Sequence, residues 1–405
     1  MVYTKSDTLE AMQYQRATPL PSESFFLFGP RGTGKSTWLK SVLPKAQVFN
    51  LLLTREYLRF SQDPDSFRNE ILSLPKGSWV VVDEVQRLPS LLNEVHALME
   101  DHPAKYRFAL TGSSARKLKR DGANLLAGRA LVRKFFPLTH REIGSSYRLD
   151  RALKVGTLPR AWSNPAAPQQ LPTDTQACEF LESYIETYLR EEIQQEALVR
   201  KLDSFARFLE VAALCHGQVL NVAAVSRDAQ VSRQTVQGFY QVLEDTLIGF
   251  RLPAWRPRLK VKEVEHPKFY FFDTGVLRAL KRRLDDEPDQ AETGLLFETL
   301  LLHELRAHDS IAGLRGEFYY WRTPSGSEID LIWTKGRRAI GFEFKSGRKF
   351  RRESATSLLE AVKSGKLNRG FIVHQSSEML RISEHVQALP VEKFLKELEA
   401  GRILE

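Results

Sequence analysis

The chain has 405 residues, enough for two or three domains that each bury a core of their own. Its 42% hydrophobic and 27% charged residues exclude wholesale disorder, and its two distant cysteines, Cys178 and Cys215, exclude a disulfide framework or a zinc finger. A formal net charge of +9 points to an anionic partner, nucleic acid ahead of acidic membrane.

Met1 to Arg16 has early acidic residues and no apolar stretch of the kind that opens a secretory signal. No apolar run approaches the roughly 18–20 residues needed to cross a bilayer. A soluble, cytoplasmic protein with no membrane role is expected.

In chain order, residues 1–23 read as an N-terminal arm. Over 24–160, the β-rich runs Phe25–Phe28, Gln47–Leu52, Trp79–Val82, Phe108–Leu110 and Ala130–Phe135 alternate with helical stretches. Such alternation predicts an α/β domain with a doubly wound parallel sheet. Residues 161–200 hold Pro165, Pro168 and Pro172 among small and polar residues, then helical periodicity from Cys178 to Glu196, and read as a linker with a connecting helix. Over 201–272, a helix at Phe205–Cys215 precedes two short helices, Val222–Asp228 and Ser232–Asp245, on either side of a turn near Gln230. A ribbon through Leu247–Trp255 and Lys268–Phe272 closes this region. Over 273–405 come a long helix (Gly294–His308), strands at Glu317–Arg322, Glu328–Trp333 and Arg338–Phe344, a helix near Ser354–Lys363 and a strand at Gly370–His374. No internal repeat is visible.

The run Gly29-Pro30-Arg31-Gly32-Thr33-Gly34-Lys35-Ser36 matches G-x-x-x-x-G-K-[ST] in full. Glycines let such a loop curl so that its N–H groups face phosphate oxygens, and the helix that continues through Thr37 adds its positive end. Lys35 is expected to bridge the β- and γ-phosphates of ATP, and Ser36 to hold Mg²⁺. Downstream, Trp79-Val-Val-Val-Asp83-Glu84 is a strand ending in two carboxylates: Asp83 suits the metal shell and Glu84 suits the base for an attacking water. Ser113, at the end of Ala109-Leu-Thr-Gly-Ser113-Ser114, is placed to sense the γ-phosphate, because neighbouring strand ends converge on the ligand crevice; a plain turn is the competing reading. For the cation that phosphoryl transfer needs, Arg129 is the first choice, with Arg116 and Arg160 as rivals.

Several stretches resemble bacterial and archaeal AAA-type ATPases that carry a C-terminal domain of unknown function: Gly29 to Ser36, Val82-Asp-Glu-Val-Gln86, Leu110-Thr-Gly-Ser-Ser114, Leu126-Ala-Gly-Arg129, Phe136-Pro-Leu138, Tyr184-Ile-Glu-Thr-Tyr188, Glu328-Ile-Asp330 and Glu343-Phe-Lys345. The resemblance spans nearly all of the chain after Ser24. The family often has Gly-Gly before Leu-Pro, where this chain has Gly156-Thr157-Leu158-Pro159. It implies an ATPase module, a winged helix and a nuclease-like terminal fold, working on DNA.

In the middle region, Val222–Asp228 and Ser232–Asp245 have helix-turn-helix spacing, with Ser232 as N-cap. Arg233, Gln234 and Gln237 then start the second helix, where base edges or phosphates are met, and Val236, Phe239, Tyr240 and Leu243 face the core. The ribbon carries Arg251, Trp255, Arg256, Arg258, Lys260 and Lys262, a set suited to backbone contact. Packing against a neighbouring module is the competing reading. At the C-terminus, Glu343 and Lys345 share a strand face, with Phe342 and Phe344 on the other. With Asp330 from the adjacent strand and Glu298 from the preceding helix, they are candidates for one or two Mg²⁺ ions that activate water against a phosphodiester. The order helix-strand-strand-strand-helix-strand resembles the PD-(D/E)xK nuclease fold, although such folds are also reused as binding platforms. The basic stretch Arg348, Lys349, Arg351 and Arg352 suits phosphate contact.

The expectation is an oligomeric, Mg²⁺-dependent ATPase that acts on DNA, branched or repair intermediates included. The alternatives are an ATP-dependent endonuclease using the C-terminal site, and a nucleotide-gated switch that binds a protein partner or a promoter.

Overall fold

A computed structural model describes residues 14–113, 126–164, 167, 170–189, 202–256, 266–323, 326–347 and 352–404. The chain divides into two compact units: Met1–Leu138 with Trp162–Pro172, and Thr139–Ala161 with Thr173–Glu405.

The first unit is built on five parallel strands, β1 (Phe25–Phe28), β2 (Gln47–Asn50), β3 (Ser78–Asp83), β4 (Tyr106–Gly112) and β5 (Leu131–Lys134), in the order β2-β3-β4-β1-β5. Every residue of β1 is buried, as a run of four apolar side chains in a central parallel strand requires. Helices α1 (Lys35–Val42), α2 (Thr54–Gln62), α3 (Pro64–Leu72) and α4 (Leu91–Asp101) make the connections. Trp38 and Leu39 of α1 bury against Phe25, Leu27, Val81, Ala109 and Phe135, which fixes the helix start over the end of β1. Asp63 accepts from the Ser66 N–H and Pro64 opens α3, so the junction of α2 and α3 is written into the sequence. The strand order sets β4 between β1 and β3, and the carboxyl ends of all three therefore lie side by side.

The second unit begins with short helices α5 (His140–Ile143), α6 (Leu149–Val155) and α7 (Pro159–Trp162, whose last residue belongs to the first unit), followed by α8 (Asp174–Ser183) and a π-helical turn over Tyr184–Leu189. Then come α9 (Leu202–Leu214), α10 (Val222–Asp228), α11 (Arg233–Asp245) and an antiparallel hairpin of β6 (Gly249–Leu252) and β7 (Lys268–Phe271). Helices α12 (Thr274–Leu280) and α13 (Gln290–Ile311) lead into a six-stranded mixed sheet. Its members are β8 (Glu317–Arg322), β9 (Glu328–Lys335), β10 (Arg338–Lys345), β11 (Arg369–His374), β12 (Leu380–Arg381) and β13 (Val386–Pro390), in the order β12-β13-β11-β10-β9-β8, with α14 (Thr356–Lys363) and α15 (Val391–Glu399).

Buried polar groups join these elements. His216 is fully buried; its Nδ1 accepts from the Phe271 N–H at 3.0 Å, and its Nε2 meets the Thr299 hydroxyl at 2.8 Å. Asp273 caps α12 by accepting from the Val276 N–H at 3.0 Å and also accepts from the Thr157 N–H at 2.7 Å. Gly156, with φ of 70°, passes so close that a Cβ there would lie 2.0 Å from Asp273 Oδ1.

Candidate nucleotide site and the carboxylate–lysine cluster

The loop after β1 takes the shape its glycines permit. Gly32 and Gly34 have φ of 80° and 89°, and a Cβ on Gly29 would lie 2.3 Å from the Phe135 carbonyl oxygen. Thr33 donates to the Pro30 carbonyl at 2.8 Å and tightens the curl. Lys35 is buried, with its ammonium donating to the carbonyls of Gly29 at 2.7 Å and Pro30 at 3.1 Å. It is thus folded back under the loop that it serves. Arg31 is half-buried and Thr37 is exposed on the first turn of α1.

The Ser36 hydroxyl donates to Asp83 Oδ2 at 2.8 Å, so the start of α1 and the end of β3 meet through the two groups expected to share a metal. The other oxygen of Asp83 accepts from Thr111 on β4, and Thr111 Oγ1 accepts from the Glu84 N–H at 3.1 Å. Glu84 itself has left-handed backbone (φ 59°, ψ 47°), a conformation uncommon for a residue with a side chain. Its carboxylate accepts from the Gln86 amide, which also donates to Ser113 Oγ at 3.0 Å. Gln86 is buried and its carbonyl oxygen has no partner among the described residues. The donor set fits Mg²⁺–nucleotide: a hydroxyl and a carboxylate already paired, and a buried ammonium beside a loop of inward-turned backbone.

Three residues at this site escaped the sequence reading. Thr111 and Gln86 sit inside motif stretches whose spacing assigns them no role; Arg16 lies in the N-terminal arm and matches no motif. Arg16 donates to the Thr33 carbonyl at 2.6 Å and to the Phe136 carbonyl at 2.7 Å, with its guanidinium 4.1 Å above the Phe135 ring. Arg129 is engaged on its own unit, 2.7 Å from both Glu100 Oε1 and His96 Nε2 of α4. Arg160 is exposed in the second unit, and Arg116 and Ser114 lie outside the described residues.

In the second unit, Glu298 on α13, Glu328 and Asp330 on β9, and Glu343 with Lys345 on β10 do come together. Lys345 Nζ lies 2.6 Å from Glu343 Oε2 and 3.7 Å from Asp330 Oδ2. Asp330 Oδ2 also accepts from the Phe344 N–H at 2.7 Å, past the last paired residues of β9 and β10. Phe342 and Phe344 are buried on the opposite face. Two further members come from β7: Lys268 Nζ is 2.7 Å from Glu328 Oε1 and 3.8 Å from Glu298 Oε1, and the Tyr270 hydroxyl donates to Glu298. Burial, with Asp330 adding to it, raises Glu343, and burial raises Glu298 against the pull of Lys268. Burial works to lower Lys345, yet Asp330 and Glu343 outweigh it and hold the ammonium charged. Among the described residues no group of three or more His, Cys, Asp or Glu side chains is arranged to hold a metal ion.

Residues 22–144 match the family model described as an AAA domain. Residues 146–287 and 293–394 match two domains of unknown function, DUF8612 and DUF4143. The chain is 27% identical over 379 residues to the uncharacterized protein Rv2008c of Mycobacterium tuberculosis and equally to Mb2031c of Mycobacterium bovis; the match covers 91% of this chain and 80% of theirs. Among solved structures, the Aeropyrum pernix ORC1 protein in complex with DNA aligns with a TM-score of 0.33 at 12% identity, over 66% of this chain and 88% of that one. A Vibrio cholerae protein, VC1899, aligns with a TM-score of 0.22 at 12% identity, over 94% and 97%. At these scores neither bears on fold or function. The five-stranded parallel sheet, its helices and the family match together fit a P-loop AAA α/β fold.

The helices expected to meet DNA form as read. Asn221 and Ser232 cap α10 and α11 through the N–H groups of Ala224 and Thr235, and Gln230 takes the turn with φ of 54°. Val236, Phe239, Tyr240 and Leu243 are buried, with Phe205 and Phe208 of α9 against the α11 rings. Arg233, Gln234 and Gln237 are exposed at the start of α11. The ribbon departs from its reading in two places. Arg251 is paired with Glu244 at 2.7 Å, and Trp255 packs against the C-terminal core cluster, so neither presents a free group to a nucleic acid. Arg256 is exposed; Arg258, Lys260 and Lys262, like Arg348, Lys349 and Arg351, lie outside the described residues. Among the described residues no helix is long and apolar enough to cross a membrane.

Proposed function

We propose that this protein is an ATPase that uses Mg²⁺, and that its nucleotide state governs its hold on DNA. The observation that carries the reading is the arrangement at three neighbouring strand ends: Lys35 and Ser36 after β1, Asp83 and Glu84 after β3, and Thr111 and Ser113 after β4. Ser36 and Asp83 hold Mg²⁺, which neutralises phosphate charge when bound. Lys35 leaves the Gly29 and Pro30 carbonyls for the phosphates, Glu84 accepts a proton from the attacking water, and Ser113 contacts the γ-phosphate through its hydroxyl. The middle helices form a winged helix whose Arg233, Gln234 and Gln237 contact DNA, supported by the exposed start of α11, the hairpin beside it and the net charge of +9. Subunits assemble so that Arg129 reaches a neighbour's nucleotide.

Steady-state ATP hydrolysis without DNA and with single-stranded, duplex and branched DNA, at two salt concentrations and with Lys35→Ala as control, tests this. Stimulation by one DNA form, weaker at the higher salt, is expected. A rate indifferent to every DNA would overturn the DNA-coupled reading. Two observations favour a second reading: Gln86 holds the Glu84 carboxylate and Glu100 holds Arg129, which suits a slow switch that waits for a partner. Tight nucleotide retention with slow, DNA-independent turnover would mark that case.

A further inference from the structure

The nuclease resemblance implies a divalent metal among Glu298, Asp330 and Glu343. The cluster does not fit one, because two ammoniums already sit among its carboxylates, Lys345 from the resembling motif and Lys268 from outside it. Lys268 comes from β7 with its side chain 6% exposed, and its ammonium reaches Glu328 at 2.7 Å and Glu298 at 3.8 Å. On the other flank Lys345 reaches Glu343 and Asp330. Arg322 Nε lies 3.7 Å from Glu328 Oε2, and the Tyr270 hydroxyl occupies Glu298. Each of the four carboxylates already meets a cation or a donor. A metal held by Glu298, Asp330 and Glu343 would compete with Lys268 for Glu298 and with Lys345 for Asp330 and Glu343, or sit within contact distance of like charge.

The same hairpin is tied to the sheet by backbone. Trp255 N–H donates to the Tyr320 carbonyl at 2.7 Å, Tyr320 N–H donates to the Pro253 carbonyl at 3.0 Å, and the Tyr320 hydroxyl donates to the His266 carbonyl. Lys268 therefore stands at a seam where two pieces of the second unit are already joined.

We propose that Lys268 is a structural cation of this cluster: together with Lys345 it keeps the carboxylates paired, it fastens the β6–β7 hairpin to α13 through Glu298 and to β9 through Glu328, and the C-terminal domain makes no metal-dependent cut. The cluster is an ionic joint.

The test is Mn²⁺ binding to the nucleotide-free full-length chain, counted by electron paramagnetic resonance, with thermal melting in parallel. Any ion held near Ser36 and Asp83 is common to all variants and cancels. Wild type is expected to show no ion that Asp330→Asn removes, and no Asp330-dependent cleavage of single-stranded, duplex or branched DNA in Mg²⁺ or Mn²⁺. Lys268→Met is expected to melt at a lower temperature, to gain one bound ion, and to recover part of the lost melting temperature in Mn²⁺; Lys268→Met with Asp330→Asn loses that gain. An Asp330-dependent ion or cut in wild type overturns the proposal, and so does a folded Lys268→Met that gains no ion. Should Lys268→Met fail to fold, the wild-type and Asp330→Asn arms decide alone.

Discussion

Glu84 combines an uncommon backbone conformation with a carboxylate held by Gln86, and those two facts define its chemistry at the scale of one residue. A left-handed non-glycine residue costs about 1–2 kcal/mol and persists where its surroundings enforce it, here through the Thr111 hydroxyl on its N–H. If Glu84 is the general base, Glu84→Gln lowers turnover by about 10²–10⁴ and leaves nucleotide affinity within a fewfold, read by steady-state kinetics beside a fluorescent-nucleotide titration. Gln86→Ala frees the carboxylate, and basal turnover is expected to rise; an unchanged or lower rate removes Gln86 as the restraint. Elsewhere, Glu304 accepts from the His140 N–H at 2.7 Å, and burial, with Glu142 and Glu399 adding to it, raises it to about 8. The folded protein then holds a proton that the unfolded chain releases near the ordinary value of 4.5. Glu304 therefore contributes most below that value, and its contribution is lost as pH rises through about 8. Unfolding free energies from urea melts across this window should fall in wild type by on the order of a few kcal/mol and stay flatter in Glu304→Gln, whose carbonyl oxygen still accepts from His140.

At the scale of an element, α11 depends on its cap and its exposed start. Ser232→Ala should cost about 1 kcal/mol of second-unit stability by denaturant melt. Arg233→Ala should lower the slope of log K against log salt for DNA by about 1; an unchanged slope would mean that this face meets no phosphate. Elements of this kind were legible in the sequence because each carries its own period and punctuation: an apolar run of four for β1, capped amphipathic turns for α10 and α11, alternation for β9 and β10. Helix α13 was expected from Gly294, but its cap is Asp289, which accepts from the Glu292 N–H, so the helix begins at Gln290. Helices α2, α3 and α4 went unplaced, since the sheet needed only its strands to be recognised. Within the sites, Lys35 and Ser36 were legible because one contiguous motif holds them, and Asp83 because a strand ending in two carboxylates stands out downstream. Thr111, Arg16 and Lys268 were not, because their roles come from strand order and long-range contact. One signal for Lys268 was available: a lysine inside the apolar run Lys268-Phe-Tyr-Phe-Phe272 must find an anion if the strand is buried.

For the whole molecule, nucleotide and stability are linked. ATP with Mg²⁺ at 100 times its dissociation constant should stabilise the folded first unit by about 2.7 kcal/mol, seen as a rise in its melting transition that Lys35→Ala abolishes. The transition of the second unit should not follow if its stability is independent; a joint rise would reveal coupling between the two, which is what nucleotide-governed DNA binding demands. Sequence composition supplied only the outer frame at this scale, a basic chain with room for several domains. Where the units divide depends on contacts such as Asp273 to Thr157, 116 residues apart in the chain, and no local pattern encodes those.

The seam between the hairpin and the sheet has one more consequence. β8 is the last strand of the six, and its outer backbone groups at Tyr320 are taken up by Pro253 and Trp255. A chain cut to begin at residue 273 would keep every strand of that sheet yet leave β8 as an uncovered edge, with the core cluster around Ile329 and Leu358 stripped of Trp255. Such a fragment should self-associate through strand addition, whereas one that begins before α9 should stay monodisperse.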